Sequence, residues 1–156
     1  MDYLLVKTLH ILSATLLFGT GLGSVFYKWR ADKSADLPAI AVTNKNVVLA
    51  DWLFTTPAII VQPISGLFLM AKQGYAVTEP WILISIILYV IAGLCWLPVV
   101  VLQIKMRDLA YSALHSTLPL PDKYQRFNRI WFWLGVPAFL CVITVYVLMV
   151  TKLTFL

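Results

Sequence analysis

The chain has 156 residues, of which 61% are hydrophobic and only 12% are charged. Soluble globular domains are about 25% charged, so the composition argues against a soluble domain. The formal net charge of +5 is concentrated in two segments between apolar stretches, which makes it a signal of membrane topology rather than of nucleic-acid binding.

Four apolar stretches predict four transmembrane helices, at about residues 4–27, 47–71, 81–104 and 130–151. Each stretch is long enough to cross a hydrocarbon core, which takes about 20 residues. A span in lipid must pair its own backbone polar groups, so each stretch is a helix. We therefore predict an all-α protein, in which residues 1–156 form a single transmembrane domain, an antiparallel four-helix bundle.

The first predicted helix carries two ionisable groups within its apolar run, Lys7 and His10. Ionisable groups at membrane depth are rare and mark candidate functional sites. A neutral histidine is a ligand for iron, copper or zinc, so His10 is a candidate haem or metal ligand. Lys7, one turn away, is a candidate partner for an anionic group of that ligand. The alternative is a neutral His10 that hydrogen-bonds to Tyr89, Gln62 or a lipid headgroup.

In the second predicted helix, Asp51 is the one ionisable group of the apolar run. Pro57 and Pro63 predict a bend in the same helix. A structural ion pair is the predicted role of Asp51, and its predicted partners are Arg107, Lys105 or Arg129. The alternative is a proton relay, which the absence of a second carboxylate nearby in the sequence does not favour.

Two segments between the predicted spans contain helix starts. Asp36 followed by Pro38 predicts that the second helix begins near Leu37. The two prolines of residues 118–121 interrupt a helical continuation of the third span, so the fourth helix is predicted to begin near Asp122. The second and fourth helices therefore start outside the membrane.

Small and polar side chains at helical spacing predict the faces that pack inside the bundle. The polar residues assigned to these faces are Lys7, His10, Ser24, Asp51, Thr55, Gln62, Ser65, Ser85, Tyr89, Trp96, Gln103, Arg107, Asn128, Trp131 and Tyr146. Among them, Asp51, Gln103 and Arg107 are assigned a structural role.

The basic residues are concentrated on one side of the predicted membrane. Nine of the 12 lysines and arginines lie in residues 28–46 and 105–129, and the other side has Lys7, Lys72 and Lys152. Short basic loops stay in the cytoplasm, so both termini are predicted to lie outside a bacterial inner membrane. Anionic lipid is the predicted partner of the basic loops.

Several motifs resemble those of known membrane families. Residues 50–57, 95–98 and 103–108 are similar to an uncharacterised family of four-helix bacterial inner-membrane proteins, a domain of unknown function. Residues 7–11 and 124–128 resemble, more distantly, motifs of the HemJ-type protoporphyrinogen oxidases. Both families are distantly similar to the CopD-type copper proteins, which this chain therefore also resembles distantly.

The HemJ-type resemblance implies a b-type haem bound through His10, with Lys7 beside it. That family has two further histidines, where this chain has the segment Phe26-Tyr27-Lys28 and the pair Cys95–Trp96. The resemblance therefore implies one axial ligand per chain, and the second would come from elsewhere, such as His10 of a twofold-related copy. A homodimer is thus an expected partner arrangement.

Three functions remain open at this point. The first is a haem-binding redox protein that acts on a porphyrin or a quinone. The second is copper handling of the CopD type, against which the candidate ligands Met70, Met106, Cys95, Cys141 and His10 fall at different depths. The third is an accessory subunit whose polar faces only pack. No nucleophile triad or phosphate-binding loop is recognisable, so hydrolases and NTPases are disfavoured.

Overall fold

A computed structural model describes residues 2–116 and 118–152, and nearly all of these residues are helical. The four long helices are α1 (Tyr3–Ser34), α2 (Leu37–Gln73), α3 (Pro80–Ser116) and α4 (Asp122–Thr151). No strand occurs in the described ranges. All four helices are long and apolar enough to cross a membrane, which confirms the predicted all-α membrane bundle.

Three of the helices continue well beyond their apolar spans at one end of the bundle. We call this the basic end, and it comprises residues 28–46 and 105–129. α1 continues to Ser34 and α3 to Ser116, while α4 begins at Asp122. Most of the residues that separate the apolar spans at the basic end are therefore helical rather than loop.

A tight turn joins α1 to α2. Ala35 ends α1 in the left-handed conformation with φ 55°. The Asp36 carboxylate then accepts a hydrogen bond from the Ala39 N–H at 3.3 Å, and Pro38 lies in the first turn of α2. An N-terminal cap followed by an early proline is a strong helix start, and α2 begins at Leu37 as predicted.

One wide turn interrupts the regular α-helix of α2. Residues Asp51–Thr55 form a π-helix, and the Thr56 N–H reaches back to the Asp51 carbonyl. The Thr56 hydroxyl donates to the same carbonyl at 2.9 Å. Pro57 explains the wide turn, because its ring cannot donate to the Leu53 carbonyl and would clash with it in a regular helix.

The helices pack most closely at the basic end, and a smaller core lies toward the opposite end, which we call the far end. α3 packs along α4, and α1 packs along α2. The first half of α2 also packs on α3, whereas Thr56–Gln73 meets α3 through side-chain contacts, such as the hydrogen bond from Tyr89 to the Ile59 carbonyl. The main core lies at the basic end and contains Ala31, Ile40, Ala41, Val99, Met106, Ala110, Tyr124 and Trp131.

Candidate functional site

His10 on α1 is held by Ser65 on α2. Its Nδ1 lies 2.8 Å from the Ser65 hydroxyl oxygen, and that oxygen is 2.6 Å from the carbonyl of Val61. A carbonyl only accepts, so the single Ser65 proton points to Val61 and Nδ1–H must donate to Ser65. This network assigns the neutral ring a protonated Nδ1 and a free Nε2 lone pair.

The Nε2 atom of His10 is not engaged by the bundle itself. Within the described residues, Nε2 makes no hydrogen bond. Nε2 is also not fully buried, since it is absent from the buried atoms that have no partner. His10 is half-buried. Its free lone pair is therefore accessible at the surface of the bundle, in the half of α1 nearest the far end.

α1 and α2 approach each other closely around His10. The side-chain amide of Gln62 donates to the His10 carbonyl at 2.8 Å and to the Ser13 hydroxyl at 2.7 Å. Gly66 lies against the imidazole, because a Cβ atom at Gly66 would stand 3.3 Å from His10 Cε1. The imidazole is thus fixed on one side by Ser65 and Gly66.

Three side chains predicted to lie with His10 make no hydrogen bond to its ring in the described structure. The Tyr89 hydroxyl donates to the Ile59 carbonyl at 2.5 Å. Lys7 is exposed, with its ammonium 5.9 Å from the centre of the Tyr3 ring. The side-chain amide of Gln62 bonds the His10 carbonyl. The ring partner is Ser65, which the sequence placed on the polar face of α2 without assigning it to His10.

Asp51 lies in the π-turn and is only 7% exposed. Its Oδ1 accepts from the Thr55 hydroxyl at 2.9 Å. Gln103 and Trp96 of α3 interact with the same carboxyl group. Even so, Asp51 Oδ2, Gln103 Oε1 and Trp96 Nε1 are each buried without a hydrogen-bond partner in the described structure.

The ion pair predicted for Asp51 is wrong. Arg107 pairs instead with its neighbour Asp108, with 2.8 Å between Nη2 and Oδ1. No charged group is among those that act on the Asp51 carboxyl. The prediction rested on depth along the helix, and depth alone does not fix the direction in which a long side chain extends.

A second polar cluster, at the basic end, joins α1, α2 and α4. Lys28 is 1% exposed, and its ammonium lies 3.0 Å from Asp32 Oδ2 and 2.7 Å from the Tyr124 hydroxyl. That hydroxyl donates to Asp32 Oδ1 at 2.6 Å and accepts from Asn44 at 2.8 Å. Asn128 donates to Asp32 Oδ2 at 2.9 Å. The Tyr124 hydroxyl therefore makes its one donated and both of its accepted hydrogen bonds.

Sequence reasoning missed this cluster, because Lys28 counted only as one of the basic loop residues. The available signal was Asp32, four residues after Lys28 and so on the same helix face. Burial, followed by the hydrogen bond to Asp32, raises the pKa of Tyr124, which lies outside the apolar spans. Tyr124 therefore remains a neutral hydroxyl that both donates and accepts.

A comparison of the chain with known proteins places it in a family. The family described as predicted integral membrane protein (DUF2269) matches residues 4–153, a range that includes Lys28 and the His10 and Asp51 sites. No curated protein and no solved structure matches the chain. The match covers nearly the whole length, as the motifs in residues 50–57, 95–98 and 103–108 predicted. The chain belongs to this DUF2269 family of integral membrane proteins.

Proposed function

We propose that this protein binds a b-type haem through His10 and works as a redox protein of the membrane. The observation that carries the proposal is the fixed tautomer of His10, with Nδ1–H bonded to Ser65 and Nε2 free. Histidines that ligate metals are held in this way through their other ring nitrogen. Haem suits a single histidine, because its porphyrin supplies four of the ligands to iron.

The residues around His10 favour haem over a bare metal ion. The described residues contain no group of three or more His, Cys, Asp or Glu side chains that could hold an ion. The HemJ-type resemblance of residues 7–11 points to the same ligand, and Lys7 is exposed one turn away, where it can pair with a propionate. Haem would supply one-electron chemistry, and we propose a porphyrin or a quinone as its reaction partner.

The position of His10 also bears on how many chains form the site. His115, the other histidine of the chain, lies near the opposite end of the bundle and is exposed. It cannot reach an iron held by His10. The accessible Nε2 of His10 is suited to a haem shared with a twofold-related copy, whose own His10 would be the second axial ligand. We therefore propose a homodimer.

His10→Ala is expected to abolish haem binding. Wild-type protein, expressed with added haem precursor and purified in detergent, should show a Soret band and sharp α and β bands after reduction with dithionite. His115→Ala is the matched control, since it removes a histidine that is exposed at the other end, and it should leave the spectrum unchanged. A wild-type spectrum without a Soret band would contradict the proposal and favour an accessory subunit, or copper handling if copper bound tightly.

Ser65→Ala, tested by haem titration, should weaken the binding of haem to His10. Loss of a hydrogen bond that orients a metal ligand typically lowers affinity about 10- to 100-fold. Thr8→Ala is the comparison, because the Thr8 hydroxyl bonds only to the Leu4 carbonyl of its own helix. Equal haem titrations for both variants would mean that Ser65 does not set the tautomer.

We also propose that the basic end faces the cytoplasm of a bacterial inner membrane and binds an anionic lipid. A groove of about 450 Å³ lies there between α1 and α4, with Lys33 and Arg129 among its lining residues. Exposed Trp29 and Phe132 supply apolar walls. Asp32 also lines the groove, but its charge is matched by Lys28, so the groove keeps a positive balance.

The double change Lys33→Gln and Arg129→Gln should weaken retention of phosphatidylglycerol. Each basic residue near a membrane surface contributes about 1 kcal/mol of attraction to anionic lipid. Native mass spectrometry of protein released from mixed nanodiscs would measure bound phosphatidylglycerol against phosphatidylcholine. The control is Lys45→Gln with Lys123→Gln, two exposed residues that do not line this groove. Equal losses in both double variants would indicate a general charge effect and no site.

A further inference from the structure

Three unpaired polar atoms meet where the π-turn of α2 faces α3. They are Asp51 Oδ2, Gln103 Oε1 and Trp96 Nε1, all buried and without a hydrogen bond within the described residues. Asp51 and Gln103 are 7% and 4% exposed. Gln103 and Trp96 are near enough to act on the Asp51 carboxyl, but the distances and angles of Asp51 Oδ2, Gln103 Oε1 and Trp96 Nε1 do not make a direct hydrogen bond.

Three buried polar atoms without partners indicate that a small polar molecule lies between them. Native proteins pair nearly all of their buried polar groups, and polar neighbours that fail to bond directly are commonly bridged by water. A buried water typically makes about three hydrogen bonds. The three unpaired atoms offer that number, as two oxygens and one N–H group.

We propose that Asp51, Gln103 and Trp96 bind one water molecule and together form a proton-exchange site inside the membrane. When the Asp51 carboxyl is protonated, the water accepts from Oδ2–H and from the Trp96 N–H and donates to Gln103 Oε1. When the carboxyl is ionised, the water donates to Oδ2 and to Gln103 and still accepts from Trp96. One water therefore satisfies all three groups in either state.

In exchange, the Oδ2–H bond breaks as its proton passes to the water oxygen, and a proton of the water returns to Oδ2. The step leaves no net charge behind, and neither oxidation nor reduction occurs. The π-turn contributes to the site, because it is the element that presents the carboxyl. Turns of this kind are frequent at functional sites.

Within the described residues, the groups that act on the Asp51 carboxyl are all uncharged. α1 has no Asp, Glu, His, Lys or Arg between His10 and Lys28. On α3, Arg107 is paired with Asp108. Thr55, which also acts on Asp51, donates its hydroxyl proton to Oδ1 and not to Oδ2. An uncompensated charge at membrane depth is costly, so the carboxyl holds its proton at rest.

The test is infrared spectroscopy of the purified protein at neutral pH. The chain has seven carboxyl side chains, and only a protonated one absorbs as a carboxylic acid. We expect one carboxylic C=O band that shifts within minutes of transfer to D₂O and is missing in Asp51→Asn. Asp122→Asn, which removes an exposed carboxylate in the first turn of α4, should keep the band.

The water is tested by removing its other two partners. Gln103→Leu and Trp96→Phe should each move the band to higher frequency, because the Oδ2–H group of the carboxylic acid loses the water to which it donates, and should slow its shift in D₂O at least tenfold. If circular dichroism shows that Asp51→Asn does not fold, these two variants still test the proposal. Absence of the band, or a band that resists exchange in the wild type, overturns the proposal. Its outcome is independent of haem, since Ser65 lies about 20 Å from Asp51 along α2.

Discussion

Asp32→Ala is expected to lower the free energy of unfolding by about 3–5 kcal/mol, because it leaves a buried ammonium without its counter-charge. Lys28 is 1% exposed and has no other anionic partner in the described structure. The change also removes the acceptor of the Tyr124 hydroxyl and of the Asn128 amide. Unfolding of the purified protein by SDS in mild detergent, followed by circular dichroism, would measure the loss.

Asp108→Ala is the matched control for this change. Asp108 also pairs with a basic residue, Arg107, but its side chain is 61% exposed. Exposed ion pairs are worth about 1 kcal/mol or less. Replacing both charges, as Lys28→Met with Asp32→Leu, should cost less than Asp32→Ala alone, since it leaves no unpaired buried charge. Similar losses for Asp32→Ala and Asp108→Ala would show that the cluster is not a buried ion pair in solution.

Gly66→Val is expected to push α1 and α2 apart around His10. A Cβ atom at Gly66 already comes within 3.3 Å of the imidazole, and valine adds two methyl groups beyond it. Overpacking of this kind costs about 1–3 kcal/mol. The imidazole would also move away from Ser65, so under the proposed function the haem content should fall together with the stability.

Gly93→Val provides the comparison for Gly66→Val. Gly93 lies inside helix α3, as Gly66 lies inside α2, but a Cβ atom there would meet nothing within 4 Å. Both changes have the same helix propensity cost, so the difference between them isolates the contact with His10. The same SDS titration and a haem assay would record it. Equal effects would mean that the close approach of the two helices is not maintained in detergent.

The sequence predicts the fold because lipid leaves few alternatives. Apolar runs of membrane length must be helices, and the helix starts at Leu37 and Asp122 follow from local capping and proline rules. The composition did not reveal Lys28 as a buried residue. Its partner Tyr124 is 96 residues away, and no pattern along the chain indicates such a pairing.

The His10 site was predictable only in part. An ionisable residue inside an apolar run is visible in the sequence, and His10 was identified on that ground. Its partner depends on which residues of α2 face α1. Helical spacing put Gln62, Ser65 and Gly66 on one polar face, and the sequence suggested Gln62 rather than Ser65 as a partner of the ring. Choosing Ser65 requires the angle about the helix axis, which only packing fixes.

The wide turn at Asp51–Thr55 sets that angle. Asp51 and Ser65 are separated by about four turns of regular helix, after which a side chain returns to the same direction. The turn contains one residue more than a regular one, so everything beyond it is rotated by about 100°. As a result Asp51 meets α3 and Ser65 meets α1. If this turn became regular helix with all of its residues kept, the far half of α2 would rotate and Ser65 would move away from His10, whereas deleting one residue from the turn would leave that direction unchanged.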